Sequence, residues 1–360
     1  MRVLIVDDSV VFRSQIKAAL EGSALIEVVG AANNGKIALQ KLAQKSGVEL
    51  ITLDMEMPEM SGLETIKEIK KAGFPVKIIV FSSATTRGSE ATLDALEAGA
   101  DDFVAKPSGE GATFENASVR IRDELLPKIL QFKKNQGIDR KPAITSQSYS
   151  PGTLSNSSDS IKVAKKNLDT FIPSIIVIGS STGGPPALEQ VLTGIQHPLR
   201  IPIVIAQHMP AMFTTSLAKR IKTISGIETT EAVHGEPVKP GHIYIAPGNY
   251  HVSFQRIQAQ TLFKLDQNPP RNSVRPSADT LFESAADHYG SRSMAFVLTG
   301  MGEDGLVGSR AIKKAAGGIM IQNKESCVVF GMPGAIFNAG LHDSIGSLHQ
   351  IQAMINKMTF

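Results

Sequence analysis

Only one cysteine occurs in the 360 residues, Cys327. That excludes an internal disulfide and any zinc site built from several cysteines. Cys327 stands in the apolar string CVVFG with no neighbour that would lower its pKa, so it reads as a small buried hydrophobe rather than a nucleophile. Long apolar runs are missing as well: no stretch approaches about 18 consecutive apolar residues, so no membrane span is expected. The opening MRVLIVDDSV is a short apolar stretch met at once by two acids, unlike a signal peptide, and it predicts a cytoplasmic chain. Net charge is small, +3, and unevenly spread. Residues 1–127 hold 14 Lys+Arg against 19 Asp+Glu, residues 128–172 hold 8 against 3, and residues 173–360 hold 15 against 12. A nucleic-acid reader concentrates basic charge on a folded face, whereas here the basic excess falls between two candidate domains. No nucleic-acid partner is expected.

What is present points to an ordinary globular chain. Apolar residues make up 42% and charged residues 20%, which excludes wholesale disorder. At about 100–200 residues per domain, the length predicts two domains. The stretch from Asn135 to Thr170 is rich in Ser, Asn, Lys and Gly without a sustained apolar period, and reads as a flexible polar linker spanning 128–172. No internal repeat is found. On both sides short β-branched runs alternate with amphipathic segments. RVLIV, LIEVVG, VELITLD, VKIIVFS and DDFVAKP alternate with helical patterns in residues 1–127. IPSIIVIG, RIPIVIAQ, MAFVLTG and GGIMIQN do the same in residues 173–360. Such alternation implies α/β domains with parallel sheets covered on both faces. Residues 241–265 alternate more and predict antiparallel hairpins inserted in the second sheet.

In an open parallel sheet, function collects beyond the carboxyl ends of the strands. Asp7 and Asp8 follow RVLIV, Asp54 follows VELITL, Ser82 ends VKIIVF, and Lys106-Pro107 ends DDFVA. Three converging acids repel one another and favour a hard divalent cation with oxygen ligands, such as Mg²⁺. A carboxylate beside such a cation, an ammonium and a hydroxyl is placed to accept a phosphoryl group, because the three neighbours neutralise the added charge. Taken singly, each residue is equally a solvated strand-end group. Taken together, residues 1–127 resemble a response-regulator receiver domain, which implies a flavodoxin-like, five-stranded parallel sheet. The resemblance implies Asp54 as phosphoacceptor, Asp8 as a direct Mg²⁺ ligand, Asp7 as a water-mediated one and the Glu56 carbonyl as a third contact. It also implies that Ser82 and Lys106 sense the phosphoryl group. Phe103 matches the family's aromatic switch position, with simple packing the competing reading.

In the second domain, IPSIIVIG runs into Gly179-Ser180-Ser181-Thr182-Gly183-Gly184-Pro185, and a helical pattern follows. This fits G-x-S-x-G at a strand-to-helix turn, which exposes Ser181 above the sheet near helical N–H groups. A phosphate-cradling turn and a merely tight turn are the alternatives; G-x-G-x-x-G is absent. A serine nucleophile needs a base, and the base needs an orienting acid. His208 follows RIPIVIAQ, and Asp304 lies among glycines after MAFVL, with Glu303 as the competing acid that spacing does not separate from it. The strings GSSTGG, QHMP, GHIYIAPG, RPSADTLF, LTGMGEDG and ESCVVFGMP make residues 173–360 resemble the catalytic domain of the CheB-family chemotaxis protein-glutamate methylesterases. GSS in place of GAS before the nucleophile is a minor departure.

That resemblance implies a doubly wound, mostly parallel α/β hydrolytic domain with the triad Ser181, His208 and Asp304. The backbone of Met301 is an implied oxyanion donor, with Thr182 the second by the logic of the nucleophile turn. The implied activity is hydrolysis of glutamyl methyl esters on chemoreceptors, with deamidation of specific glutamines. It requires no cofactor for the ester step and Mg²⁺ for receiver phosphorylation. The implied partners are methyl-accepting receptors as substrate and the chemotaxis histidine kinase as phosphodonor, at receptor arrays without membrane insertion. A DNA-binding output and a non-catalytic interaction module are the rival classes. The first lacks a basic helix-turn-helix unit, and the second sits poorly with an intact Ser/His/Asp set.

Overall fold

The computed structural model describes residues 1–44, 47–107, 114–136, 165–196 and 198–359. Its first half alternates strictly: β1 (Arg2–Val6), α1 (Val10–Leu20), β2 (Glu27–Ala32), α2 (Gly35–Gln44) and β3 (Leu50–Asp54). Then come α3 (Gly62–Lys71), β4 (Lys77–Ser82), α4 (Thr86–Glu97), β5 (Asp102–Ala105) and α5 (Phe114–Gln136). The strands form a parallel sheet in the order β2-β1-β3-β4-β5. The LITLD strand β3 is buried throughout, as a central parallel strand covered by helices on both faces must be. Between β1 and β3 the winding reverses. A crevice opens there at the carboxyl ends, where Asp7 and Asp54 emerge.

Helix α5 runs through Pro127 to Gln136, past the boundary at 127 expected from sequence. Ile121, Leu125, Ile129 and Phe132 continue one apolar stripe across the proline and are buried with Ile16 and Leu20 of α1. Four such side chains at about 1.5–3 kcal/mol each outweigh the roughly 3 kcal/mol that an interior proline costs. Most of the expected linker, residues 137–164, lies outside the described residues. Its last part, from Lys165 on, is joined to the second domain: the Lys166 N–H donates to Asp343 and Leu168 is buried.

The second half opens with β6 (Ile175–Ser180), α6 (Gly184–Thr193), β7 (Ile203–Gln207), α7 (Ala211–Ser225), β8 (Glu228–Glu231) and β9 (His242–Ile245). It continues with β10 (His251–Ile257), β11 (Gln260–Asp266), α8 (Ala278–Tyr289), β12 (Ser293–Val297) and α9 (Leu306–Lys314). It closes with β13 (Gly318–Gln322), α10 (Met332–Asn338), β14 (Ser344–Gly346) and α11 (Leu348–Thr359). A seven-stranded parallel sheet has the order β14-β13-β12-β6-β7-β9-β8. The chain leaves β6 toward β7 and returns on the other side as β12, so the switch point falls between β6 and β12.

One sequence expectation changes here. Residues 242–245 enter the main sheet in parallel as β9, and only β10 and β11 pair antiparallel, in a sheet of their own. The hairpin therefore stands beside the main sheet rather than inside it. Its inward side chains Val252, Phe254 and Phe263 join the same core cluster as Leu281 and Ala285 of α8, and the Phe254 N–H donates to Ser284 Oγ.

Candidate active site and acidic pocket

Loops after β6, β7 and β12 meet at the switch point of the second sheet. Register brings Ser180 opposite Gln207, and the His208 N–H donates to the Ser180 carbonyl at 3.1 Å. The nucleophile turn is pinned from two sides. The Ser181 N–H donates to the Thr299 carbonyl at 3.1 Å, and Gln207 Nε2 donates to the Ser181 carbonyl at 3.0 Å. Gly183, with φ of 74°, takes the left-handed turn into α6 that a β-carbon would strain. Gly300 lets the β12 loop approach: a β-carbon there would stand 2.9 Å from Ser181 Cβ. Gln207 and Thr299 were not singled out from the sequence. Neither carries chemistry by residue type, and their role follows from strand register.

Asp304, not Glu303, is the acid that holds the histidine. Asp304 is buried and its Oδ2 lies 2.8 Å from His208 Nε2, while Glu303 is exposed. The start of α8 supplies further donors to the same carboxylate. Ser277 Oγ donates at 2.7 Å, the Ala278 N–H at 2.5 Å and the Asp279 N–H at 3.2 Å, with Asn272 Nδ2 at 3.3 Å. Burial alone would raise the Asp304 pKa. The hydrogen bond and charge of His208, with Ser277 and Ala278, instead hold it well below the ordinary carboxylate range. An ionised carboxylate only accepts, so Nε2 carries the proton and Nδ1 is the free, basic nitrogen. No hydrogen bond joins the Ser181 hydroxyl to His208 in this state. Catalytic contacts of this kind commonly tighten only with substrate in place. Thr182 and Met301, the sequence-derived oxyanion donors, lie on the two loops that meet at Ser181.

The acidic pocket of the first domain also forms. Carboxylate oxygens of Asp7, Asp8 and Asp54 lie within 4.8 Å of one another. Lys106 Nζ sits 2.8 Å from Asp54 Oδ1 and 3.3 Å from Asp7 Oδ2. Burial, then the Asp54 charge, pushes the Asp7 carboxyl up to about 6. Burial also works against the Lys106 charge, but its bonds and charge pairing with Asp54 and Asp7 leave its pKa raised. A crowded, oxygen-only set of three carboxylates fits a hard divalent cation such as Mg²⁺. The Glu56 N–H reaches Asp54 Oδ1 at 3.3 Å. Ser82 is buried beside the pocket, but its hydroxyl donates to the Gly88 carbonyl of α4 at 2.8 Å rather than to Asp54.

The first domain packs against the loops and helix that flank Ser181 and His208. Phe103 stacks on Phe213 of α7, with ring centroids 4.6 Å apart. Ser89 and Ser216 hydroxyls share a hydrogen bond of 2.6 Å. Asp102 Oδ2 accepts from Thr182 Oγ1 at 2.6 Å and from Lys128 Nζ at 2.7 Å. What remains of the cleft, about 520 Å³, is lined by Phe103 and Lys128 from one domain and by His208, Pro210, Asn249 and Arg275 from the other. Cys327 is half-buried rather than fully buried as the sequence suggests, and burial pushes its thiol up to about 12, away from the reactive range.

Comparison with known proteins agrees with this division. Residues 176–355 match the family described as CheB methylesterase, and residues 3–117 match the response regulator receiver domain. A protein-glutamate methylesterase/protein-glutamine glutaminase of Trichodesmium erythraeum is 43% identical over 350 residues, covering 97% of this chain and 96% of the relative. Its counterpart in Thermotoga maritima is 37% identical over 352 residues, covering 98% and 96%. The crystal structure of the Thermotoga maritima CheB methylesterase catalytic domain superposes with a TM-score of 0.51 at 40% identity. It covers 52% of this chain and 98% of that one.

Proposed function

Because the chain belongs to the CheB methylesterase family, with a receiver domain ahead of the catalytic unit, we propose that it is a phosphorylation-regulated hydrolase of chemoreceptor glutamyl methyl esters. It releases methanol and restores glutamate, and by the same chemistry it converts specific glutamines to glutamate with loss of ammonia. The reaction serves adaptation in chemotaxis. The observation that carries the reading is the His208–Asp304 bond of 2.8 Å beside the Ser181 turn.

The geometry supports a sequence of steps. His208 Nδ1 takes the Ser181 proton as Ser181 Oγ attacks the γ-carbonyl carbon, and ionised Asp304 stabilises the imidazolium. Backbone N–H groups of Thr182 and Met301 receive the oxyanion. The imidazolium then protonates the departing methoxide, which leaves as methanol. Water, deprotonated by the same imidazole, attacks the acyl-enzyme, and the glutamate carboxylate leaves as Ser181 regains its proton.

Regulation follows from the interface. A receptor helix is about 10–12 Å across and cannot reach Ser181 while Phe103 stacks on Phe213 and Asp102 holds Thr182. The receiver is thus a cover over the active site, lifted when Asp54 takes a phosphoryl group from the phosphohistidine of the chemotaxis histidine kinase. Asp7, Asp8, Asp54 and the Glu56 carbonyl would hold Mg²⁺, which when bound neutralises charge on the phosphoryl oxygens. Lys106 pairs with the new phosphoryl oxygens, and the Ser82 hydroxyl turns from Gly88 toward them. Gly88 lies in the first turn of α4, whose Ser89, Asp94 and Glu97 bond to α7 of the catalytic domain. Loss of the Ser82 tether therefore loosens the helix that fastens the cover. The enzyme meets its substrate as a peripheral visitor to receptor arrays; among the described residues no helix is long and apolar enough to cross a membrane.

Methanol release from methylated chemoreceptor membranes tests this, with wild type and Ser181→Ala, each with and without acetyl phosphate and Mg²⁺. Release that is stimulated by the phosphodonor and absent in Ser181→Ala is expected. No release from phosphorylated wild type would overturn the reading.

A further inference from the structure

A second carboxylate lies buried behind the proposed catalytic acid, and the reaction as derived has no use for it. Asp279 is 1% exposed and Asp304 2%. Both oxygens of Asp279 are engaged by N–H donors: Gly308 N–H on Oδ1 at 2.7 Å and Asn272 Nδ2 on Oδ2 at 3.0 Å. Both oxygens accept from N–H groups, as those of an anion would, and among the described residues no cation forms an ion pair with Asp279. Burying an unpaired anion next to another one is costly unless it serves a purpose.

Its position supplies one. Asp304 lies on the Gly302–Gly305 turn, and α9 begins at Leu306. By gripping the Gly308 N–H, Asp279 ties the start of α9, and with it that turn, to the start of α8. The Asp279 N–H donates to Asp304 Oδ1, and the Asn272 amide bridges the two carboxylates, 3.0 Å from one and 3.3 Å from the other. Carboxylates only accept, so it must be the amide nitrogen that faces them. Asn272 and Ser273 both have positive φ, at 50° and 64°, in a turn closed by reciprocal Arg271–Val274 backbone bonds. Asn is favoured there for its backbone alone, so the amide's electrostatic role has to be separated from the turn.

We propose that Asp279 is a positioning residue that acts through Asp304 on His208, fixing the carboxylate and adding negative potential that holds the imidazolium, with Asn272 as the counterweight. Burial first, and the Asp304 charge after the Gly308 bond, leave the Asp279 carboxyl above its ordinary value, as two interacting buried anions require. Other charged groups near the pair are Arg271 and its partner Glu283. Those facing His208 across the cleft are Arg275, Lys128 and Glu124. All stay in place in the variants below. The inference rests on the proposed function in taking His208 as the base.

The test is the imidazole titration of His208 in the full chain, followed by nitrogen-detected NMR and assigned with His208→Gln. Asp279→Asn keeps shape and removes a negative charge, so the His208 midpoint should fall by about half a pH unit or more. Asn272→Gly keeps the left-handed turn and removes the positive edge of the amide, so the midpoint should rise. In methanol release, kcat should drop about tenfold in Asp279→Asn with KM within twofold. Opposite midpoint shifts support the proposal, because a role in folding alone moves neither. Unchanged midpoints, or shifts in the same direction, overturn it. If Asp279→Asn does not fold, Asn272→Gly decides alone: an upward shift supports, none overturns. A wild-type chain that titrates this way yet releases no methanol sinks the functional reading while leaving the electrostatic coupling intact.

Discussion

The carboxylate of Asp102, in the receiver strand β5, accepts a 2.6 Å hydrogen bond from the hydroxyl of Thr182, the residue directly after the proposed nucleophile Ser181. Both residues are buried, and Asp102 is braced by Lys128 and by the Phe103 N–H at 2.8 Å. The receiver thus grips the turn that carries Ser181, and does more than shade it.

Cutting that grip should raise activity. Hydrogen bonds to charged groups contribute about 1.5–3 kcal/mol, and one differing between closed and open states shifts their ratio by roughly tenfold or more. Asp102→Ala should therefore release methanol without a phosphodonor at roughly ten times the wild-type basal rate, up to the ceiling of the fully open enzyme. An unchanged basal rate would mean that the Phe103–Phe213 stack and the α4–α7 contacts keep the cover shut unaided.

The second fastening is ionic. Arg220 of α7 pairs with Asp94 at 2.6 Å and with Glu97, both on α4, and with Glu189 of α6 at 2.7 Å. Burial, with the nearby Glu97 and Asp94 charges, pushes the Glu189 carboxyl up although Arg220 opposes it. Arg220→Glu places repulsion where the clamp was, and a several-fold rise in basal methanol release is expected. The wild-type basal rate should also climb with added salt, and that salt dependence should be weaker in the variant.

Removing the triad members should reveal their shared work. Ser181→Ala should lower methanol release by at least about 10³-fold, and Asp304→Asn by about 10³–10⁴-fold, because an amide at 304 favours the wrong imidazole tautomer. The double variant should be little worse than either single one, as residues acting in one unit are not additive. Additive losses measured in the same assay would argue against a shared mechanism.

Phosphorylation should act through Ser82. Asp54→Asn should abolish stimulation by acetyl phosphate. Ser82→Ala should still take up phosphate, scored by phosphoprotein gel, but convert it poorly into methanol release, because no hydroxyl remains to move from Gly88 to the phosphoryl group.

Acid stability follows from the lowered Asp304 pKa. A carboxylate whose folded pKa lies below its ordinary value of 3.8 adds stability that is fully present above that value and is lost as pH falls toward the folded pKa. Denaturation of Asp304→Asn should therefore differ most from wild type at pH 6, and the gap should narrow below about pH 4. A gap that stays constant down to pH 3 would contradict the charged, multiply bonded Asp304.

Strand ends were readable in the sequence because each candidate residue ends or directly follows a β-branched run: Asp7 after β1, Asp54 at the end of β3, Ser181 after β6, His208 after β7. In parallel α/β sheets that adjacency alone predicts convergence. The α5 extension was not legible in the sequence because the stripe from Ile121 to Phe132 has meaning only against α1. The hairpin was misplaced for a similar reason: alternation marks a strand but not the sheet it joins. Gln207, Thr299 and Asn272 escaped notice because amides and hydroxyls are common on surfaces, and only register and turn geometry bring these to the nucleophile or its acid.

By itself the sequence determined the two α/β domains, which candidate side chain ends which strand, and the resemblance to a receiver ahead of a methylesterase. Local periodicity and turn residues suffice for that, since they act over a few residues. Tertiary structure decided that Asp304, which the resemblance implied and spacing left open against Glu303, is the acid bonded to His208, and that Asp102 and Phe103 close over Thr182 and α7. Those relationships join positions on the order of a hundred residues apart, where no local pattern constrains the pairing and only the packing of two finished domains selects it.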